Sequence, residues 1–596
     1  MQQPLQQTWN LDSIFPGGSS SPQFIGFLQS LEQDIAALRS HLESLATPQS
    51  VSETSALTEA LGQLQYITLR TREANSFGSC LTAENQADKK AIMLIGRIST
   101  INAQLLSVLT VFDKLLSAMD GEVWAAWLKS DATAPIAFNL NERRELAKEK
   151  LAPELEALAG DLAVDGYHAW GELYNTIVSS IHIPWEENGK TTNLSAGQAS
   201  NKMSDGSSEV RARMFRQWEE AWSEKEDFCG DALNHLAGFR LKLYEKRGWD
   251  EILKEPLAIN RMSEETLNVM WDVIVKNKPV FVEYLNRKAK LLGTERLSWV
   301  DVEAPVGSSS QTISYDEGAR MIEEQFRKFS PKMADFAVKA FENRWIEAED
   351  RPGKRPGGFC TSLPVSKETR IFMTYAGTAS NVSTLAHELG HGYHQFVMDD
   401  LPAMSQDYAM NVAETASTFA EMILSDSAVK EAKNEDEKLA LLEDKIQRSV
   451  AFFMNIHARF LFETRFYAKR KEGLVSVEEL NELMVTAQKE AFCDALSEYH
   501  PHFWAAKLHF YITEVPFYNF PYTFGYLFSA GIYAQAQEEG AAFEQRYIDL
   551  LRDTGRMTVE ELAQKHLGVD LTKPDFWQKA VDLAVADVHE FLEMTK

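Results

Sequence analysis

The stretch Thr384 to His394 reads Thr-Leu-Ala-His-Glu-Leu-Gly-His-Gly-Tyr-His. On an α-helix, residues four apart lie one turn above each other on the same face. His387 and His391 can then turn ring nitrogens to one zinc ion at about 2.0–2.1 Å. Glu388 stands beside them, placed to hold water rather than the metal. A zinc ion acidifies the water it holds, and a neighbouring carboxylate can take the proton as general base. The chemistry this spacing suits is hydrolysis.

Such a site needs a third protein ligand and one position left for water. The metzincin solution requires Gly at 394 and His at 397, where this chain has His394 and Val397. A glutamate from a following helix is the other common solution. Asp399, Asp400 and Asp407 lie in a turn region too close in sequence to swing back. Glu414 sits in Met-Asn-Val-Ala-Glu-Thr-Ala-Ser, a run of small residues that lets two helices pack closely. Glu421, seven residues on, faces the same way and could hold a ligand histidine in its tautomer or lie on the surface. His394 shares the histidine face but lies further along the helix, which favours a packed core histidine.

A third constellation lies toward the C-terminus, where His509 is followed by Tyr511, Tyr518, Tyr522 and Tyr526. Neutral donors of these types can stabilise the oxyanion formed when a peptide bond is attacked. Pro516 and Pro521 predict an irregular start to any helix here.

The elements that must position these residues are mostly helical. From Pro22 to Ser117 apolar residues recur at three- and four-residue steps, as in Ile25, Leu28, Leu31, Ile35 and Leu38. Trp185 to Met203 is polar and reads as a loop or small hairpin. It suggests a boundary near 190, with an N-terminal helical domain over 1–190 and a catalytic domain over 191–596. Ser263 caps a helix running to about Leu292. Leu297 to Val302 predicts a short strand, 349–359 a Pro/Gly-rich basic loop, and Arg370 to Tyr375 a strand. If that last strand lies at an edge, it could pair with the backbone of an extended peptide. Beyond 380 the pattern is helical to the end. The fold class is mainly α with a small sheet.

Composition narrows the partners. The chain has 596 residues, 44% hydrophobic and 25% charged, as in a soluble globular protein. Lys and Arg number 60 against 87 Asp and Glu, a net charge of −27. That argues against nucleic acid and against an anionic membrane surface. Four scattered cysteines fit a reducing compartment. The first 21 residues have no basic or apolar leader pattern, and no stretch approaches 18 consecutive apolar residues. The expectation is a full-length cytoplasmic protein with no spanning helix and no membrane partner. Oligomeric state is left open.

Several of these stretches together resemble the oligoendopeptidase F type of the thimet oligopeptidase-like zinc metallopeptidases. The likeness rests on Thr-Trp-Asn-Leu-Asp-Ser-Ile-Phe-Pro at 8–16, Gly357 to Cys360, Thr384 to His394, Ala413 to Glu421, and Phe517 to Phe528, and it covers most of the chain. It implies a two-lobed helical zincin-type body with a small sheet beside the active-site helix. It implies a deep central channel with one zinc per chain at its floor, and an endopeptidase acting on short oligopeptides. His387, His391 and Glu414 would be the ligands and Glu388 the general base and acid. His509, Tyr526 and Tyr518, and after them Tyr522, would stabilise the oxyanion. The gap from His509 to Gly525-Tyr526 is longer than in the thimet branch. Rival readings are a related metallocarboxypeptidase and a non-catalytic peptide-binding protein.

Overall fold

A computed structural model of the chain describes residues 4–306, 312–355 and 357–596. Met1 to Gln3 of the opening segment and Pro356 of the loop at 349–359 lie outside them. The architecture is mostly helical, with a two-stranded and a three-stranded sheet among the described residues.

Helices α1 (Pro22–Ser44), α2 (Ser55–Glu84) and α3 (Lys89–Ala118) pack on one another. The inward stripe of α1 is Phe24, Leu28, Leu31, Ile35 and Leu38, whereas Ile25 is 43% exposed. Burying each such side chain stabilises by roughly 1.5–3 kcal/mol. By length and composition α3 could cross a membrane, which corrects the sequence reading that no helix could. Here its stripe of Ile98, Ile101, Val108 and Phe112 joins the core shared with α1 and α2.

The hydrophobic interior forms two clusters. Among the described residues one comprises residues from Trp9 to Leu140 together with Leu363 and Phe372, and the other residues from Ala163 to Phe591. Between Leu140 and Ala163 the chain passes from one cluster to the other, and the helix Ala169–Ser179 packs on the helix Glu226–Arg247. The hairpin is present as β1 (Ile183–Glu187) and β2 (Lys190–Leu194). Asn188 and Gly189 make its turn, both with positive φ (53° and 73°). Asn-Gly tolerates that conformation, which matches the twist of the flanking strands.

Strands β3 (Ile346–Glu347), β4 (Phe359–Leu363) and β5 (Glu368–Phe372) form the other sheet in the order β3-β5-β4. The expected edge strand is therefore the central one. It pairs parallel with β3 and antiparallel with β4, so β3 and β4 are the edge strands. Side chains alternate faces along a strand. Ile371 accordingly enters the larger core and Phe372 the smaller, which locks the sheet between them. Of the strand expected over Leu297 to Val302 one parallel bridge remains, Ser298 beside Glu498, followed by a 3-10 turn, Trp299–Asp301. Ser298 and Asp301 cap each other there, which starts the turn and ends the pairing after one bridge.

Candidate metal centre

The helix Ala379–Phe396 carries the histidine pair and packs on β4 and β5. Its start is fixed by a capping box. Thr378 Oγ1 accepts from Asn381 N at 3.1 Å, and Asn381 Oδ1 accepts from Thr378 N at 3.3 Å. Leu385, Ala386, Leu389 and Tyr393 turn into the core, leaving His387 and His391 on the opposite face. The imidazole centroids are 4.9 Å apart with planes at 84°.

Glu414 arrives from the following segment. It lies at the junction of the helices Met410–Ala413 and Thr415–Glu431, not within one continuous helix. Ser529 Oγ donates to its carbonyl at 3.1 Å, pinning the junction. The approach depends on Gly390. A Cβ there would stand 2.6 Å from both Ala416 O and Ser417 Cα.

His387 Nε2 lies 3.3 Å and His391 Nε2 3.4 Å from Glu414 Oε2. Two ligand atoms about 2.1 Å from one ion at the tetrahedral angle lie about 3.4 Å apart. Two imidazoles and one carboxylate at this separation fit a single zinc-sized ion. Ser417 Oγ donates to Glu414 Oε2 at 2.6 Å. Burial raises the Glu414 carboxyl pKa, but the positive charge that His391 and His387 carry when protonated, with the Ser417 hydroxyl, outweighs it and the net shift is downward. Burial lowers the pKa of His391, keeping the imidazole neutral as a ligand must be.

Glu388 is 7% exposed. Burial pushes its carboxyl up to about 7, with His387 pulling down and Glu414 pushing up. Glu421 is not a surface residue. Its Oε2 lies 3.2 Å from His387 Nδ1, and Arg448 pairs with its other oxygen. Arg448 in turn meets Asp444 at 3.0 Å. Arg448 comes from the helix Glu435–Val450 and was missed in the sequence, where nothing local marks it.

His394 is a buried core histidine. It stacks on Tyr408 at 4.3 Å, and its Nε2 is 2.9 Å from Thr554 Oγ1. Asp400 pairs with Arg552 on the surface.

A cavity of about 490 Å³ opens on His387, Glu414 and Glu421. Tyr522 and Tyr526 line it, from the helix Phe520–Glu539. The Tyr526 hydroxyl is engaged by Ser449 Oγ at 2.8 Å, and its ring stacks on Phe452. His509 and Tyr518 do not line this cavity. They stack on each other at 5.1 Å and abut Tyr522 at 5.9 and 5.1 Å. Burial, Arg459 and Lys507 bring the His509 imidazole down to about 3, so it is neutral.

Residues 202–583 match the model of peptidase family M3, and residues 116–182 match that of oligopeptidase F. An oligoendopeptidase F homolog of Lactococcus lactis subsp. lactis (strain IL1403) is 27% identical over 345 residues, covering 56% of this chain and 56% of that protein. The aligned stretch thus spans little more than half the length of that relative. Oligopeptidase PepF of Bacillus subtilis (strain 168) is 23% identical over 603 residues, covering 99% of this chain and 87% of its own. The crystal structure of oligoendopeptidase-F from Enterococcus faecium superimposes with a TM-score of 0.69 at 15% identity, over 96% of this chain and 98% of that one, a likeness of fold. The M3 match takes in the paired histidines, Glu414 and the aromatic helix together and extends over more than half of the sequence; the chain belongs to peptidase family M3.

Proposed function

We propose that the chain is a zinc-dependent endopeptidase that hydrolyses short oligopeptides. The observation that carries this is the convergence of His387, His391 and Glu414 on one point, with Glu388 buried beside them. Zinc held by these three would supply a Lewis acid that polarises the scissile carbonyl and acidifies water. Glu388 takes the proton of the attacking water and passes it to the leaving amine. Its raised affinity for a proton suits a group that must both accept and return one. Glu421 holds His387 in the tautomer that presents Nε2.

For the oxyanion we place Tyr522 ahead of His509, Tyr526 and Tyr518. Tyr522 shares the cavity with His387 and Glu414, whereas the Tyr526 hydroxyl is bonded to Ser449. Tyr518 and His509 buttress Tyr522 from behind. The cytoplasm is the proposed compartment, supported by four free cysteines.

A quenched-fluorescence peptide blocked at both ends tests the reading. Cleavage at an internal bond, lost on chelation and restored by zinc, is expected. Cleavage only of peptides with a free terminus would indicate a metallocarboxypeptidase. Binding without turnover would indicate a peptide-binding protein.

A further inference from the structure

A second cavity, of about 240 Å³, lies beside the first, and Ala451 lines both. Its walls include Trp218, Trp299 and Phe503, with Arg459 and Lys507 facing into it. The two cations share one ring. The Arg459 guanidinium is 5.5 Å and Lys507 Nζ 5.8 Å from the Phe503 centroid. Arg459 Nε donates to Asn455 Oδ1 at 2.9 Å, a neutral partner. Neither cation forms an ion pair among the described residues. Glu303 also lines the cavity but is exposed. Some enclosed cations in this strongly acidic chain are neutralised directly, such as Lys288 by Glu443 at 2.5 Å and Lys445 by Asp426 and Asp587 at 2.6 and 2.9 Å. Others are held by neutral groups alone, as Lys278 is by His457 and the Ala491 carbonyl and Arg144 by the Leu116 and Met119 carbonyls. Arg459 and Lys507 differ in facing a cavity.

Two cations side by side against aromatic walls, with Glu303 acting on both but in salt-bridge contact with neither, form an anion receptor. Burial lowers both, Lys507 to about 8 and Arg459 to about 10, and Arg459 further lowers Lys507, while Glu303 offsets only part of this in each. An arriving negative charge relieves that repulsion. A guanidinium grips a carboxylate through two parallel hydrogen bonds, and an ammonium adds a point charge. The aromatic walls exclude water and strengthen both. The same two cations act on the His509 imidazole, which adjoins Tyr522, so the receptor abuts the proposed reaction site.

We infer that Arg459 and Lys507 form a carboxylate subsite that seizes the negative charge at or near the C-terminal end of a bound peptide. This rests on the peptide-hydrolysing reading of the adjoining metal centre. The enzyme would then favour peptides whose carboxylate reaches this cavity while an internal bond lies over Glu388. A long chain or a folded protein would not place its terminus there.

Binding to zinc-loaded Glu388→Gln protein, titrated by calorimetry, tests this without consuming peptide. Three peptides of one sequence are compared: free carboxylate, C-terminal amide, and amide with Glu replacing a Gln near the end. The free acid is expected to bind about tenfold tighter than the amide, the size of one lost charge-assisted contact. Lys507→Met and Arg459→Gln, each added to that protein, should abolish the difference while leaving affinity for the amide unchanged. Lys507→Arg should retain it. If the Glu-bearing amide alone gains affinity, the subsite stands and the carboxylate it reads is a side chain's. Equal affinity for all three peptides, or binding of none, overturns the proposal. An acid preference in a protein whose unsubstituted form cleaves no peptide keeps the subsite and discards the peptidase reading.

Discussion

At the scale of single residues, the centre divides labour between atoms that touch the ion and atoms that orient them. Glu421 belongs to the second group, with Arg448 holding its far oxygen. Glu421→Ala is expected to weaken zinc affinity about 10–100-fold while leaving one ion per chain at saturating zinc, as losses of such supporting carboxylates do. Competition with a chromogenic chelator reads this directly. Tyr522→Phe removes the proposed oxyanion donor and should lower kcat about 10²–10³-fold with little change in KM. A Tyr526→Phe protein, whose hydroxyl already serves Ser449, should stay within a few-fold of the parent. The reverse ranking in steady-state kinetics would return the role to Tyr526.

At the scale of elements, the centre exists because two helices touch backbone to backbone at Gly390. Gly390→Ala puts a methyl group 2.6 Å from Ala416 O and Ser417 Cα, so the Glu414 junction must move away from the histidines. Overpacking of this kind costs about 1–3 kcal/mol. The expected outcome is a lowered melting temperature together with reduced zinc content; a fully loaded, fully stable variant would show that the contact is not needed. This contact also explains what was legible in the sequence. His387 and His391 are joined by one local helical turn, so spacing alone relates them. Glu414 was reachable through its small neighbours and a family resemblance, because closeness between helices leaves a composition signal. Arg448 leaves none, since it meets Glu421 only through tertiary packing. The position of β5 was misread for the same reason. Composition marks a strand, but its neighbours β3 and β4 are decided by pairing across the fold. The tyrosines lay between these cases. Their identity was plain, but only packing shows that Tyr522 reaches the cavity and Tyr518 backs it.

At the scale of the whole molecule, distant helices are braced by a charged cluster that ties the segment ahead of Lys507 and His509 to the rest. His502 sits between Glu219 at 2.5 Å and Glu226 at 2.7 Å, and His500 also pairs with Glu219. Burial raises the Glu219 carboxyl pKa, but His500 and His502 overcome it and bring it from 4.5 to about 2. Burial lowers the His502 pKa, but the two glutamates overcome it and raise it above 6.5. A lowered acid stabilises the fold above 4.5, and that stability is lost as pH falls toward 2. A raised histidine stabilises below 6.5, and that stability is lost as pH rises through its folded value. The melting-temperature advantage of the parent over Glu219→Gln should therefore be largest between pH 4.5 and 6.5 and shrink on both sides. An advantage that does not vary with pH would remove the cluster from the stability of the fold.

The central claim is that His387, His391 and Glu414 hold one zinc ion that Glu388 serves without binding it. Zinc per chain, measured by elemental analysis beside turnover of a blocked peptide, tests it most directly in the parent, Glu414→Ala and Glu388→Gln proteins. The parent should carry one zinc and cleave. Glu414→Ala should lose the zinc and the cleavage together. Glu388→Gln should keep the zinc and lose cleavage about 10²–10⁴-fold. A Glu414→Ala protein with its full complement of zinc, or a Glu388→Gln protein with undiminished turnover, would contradict it.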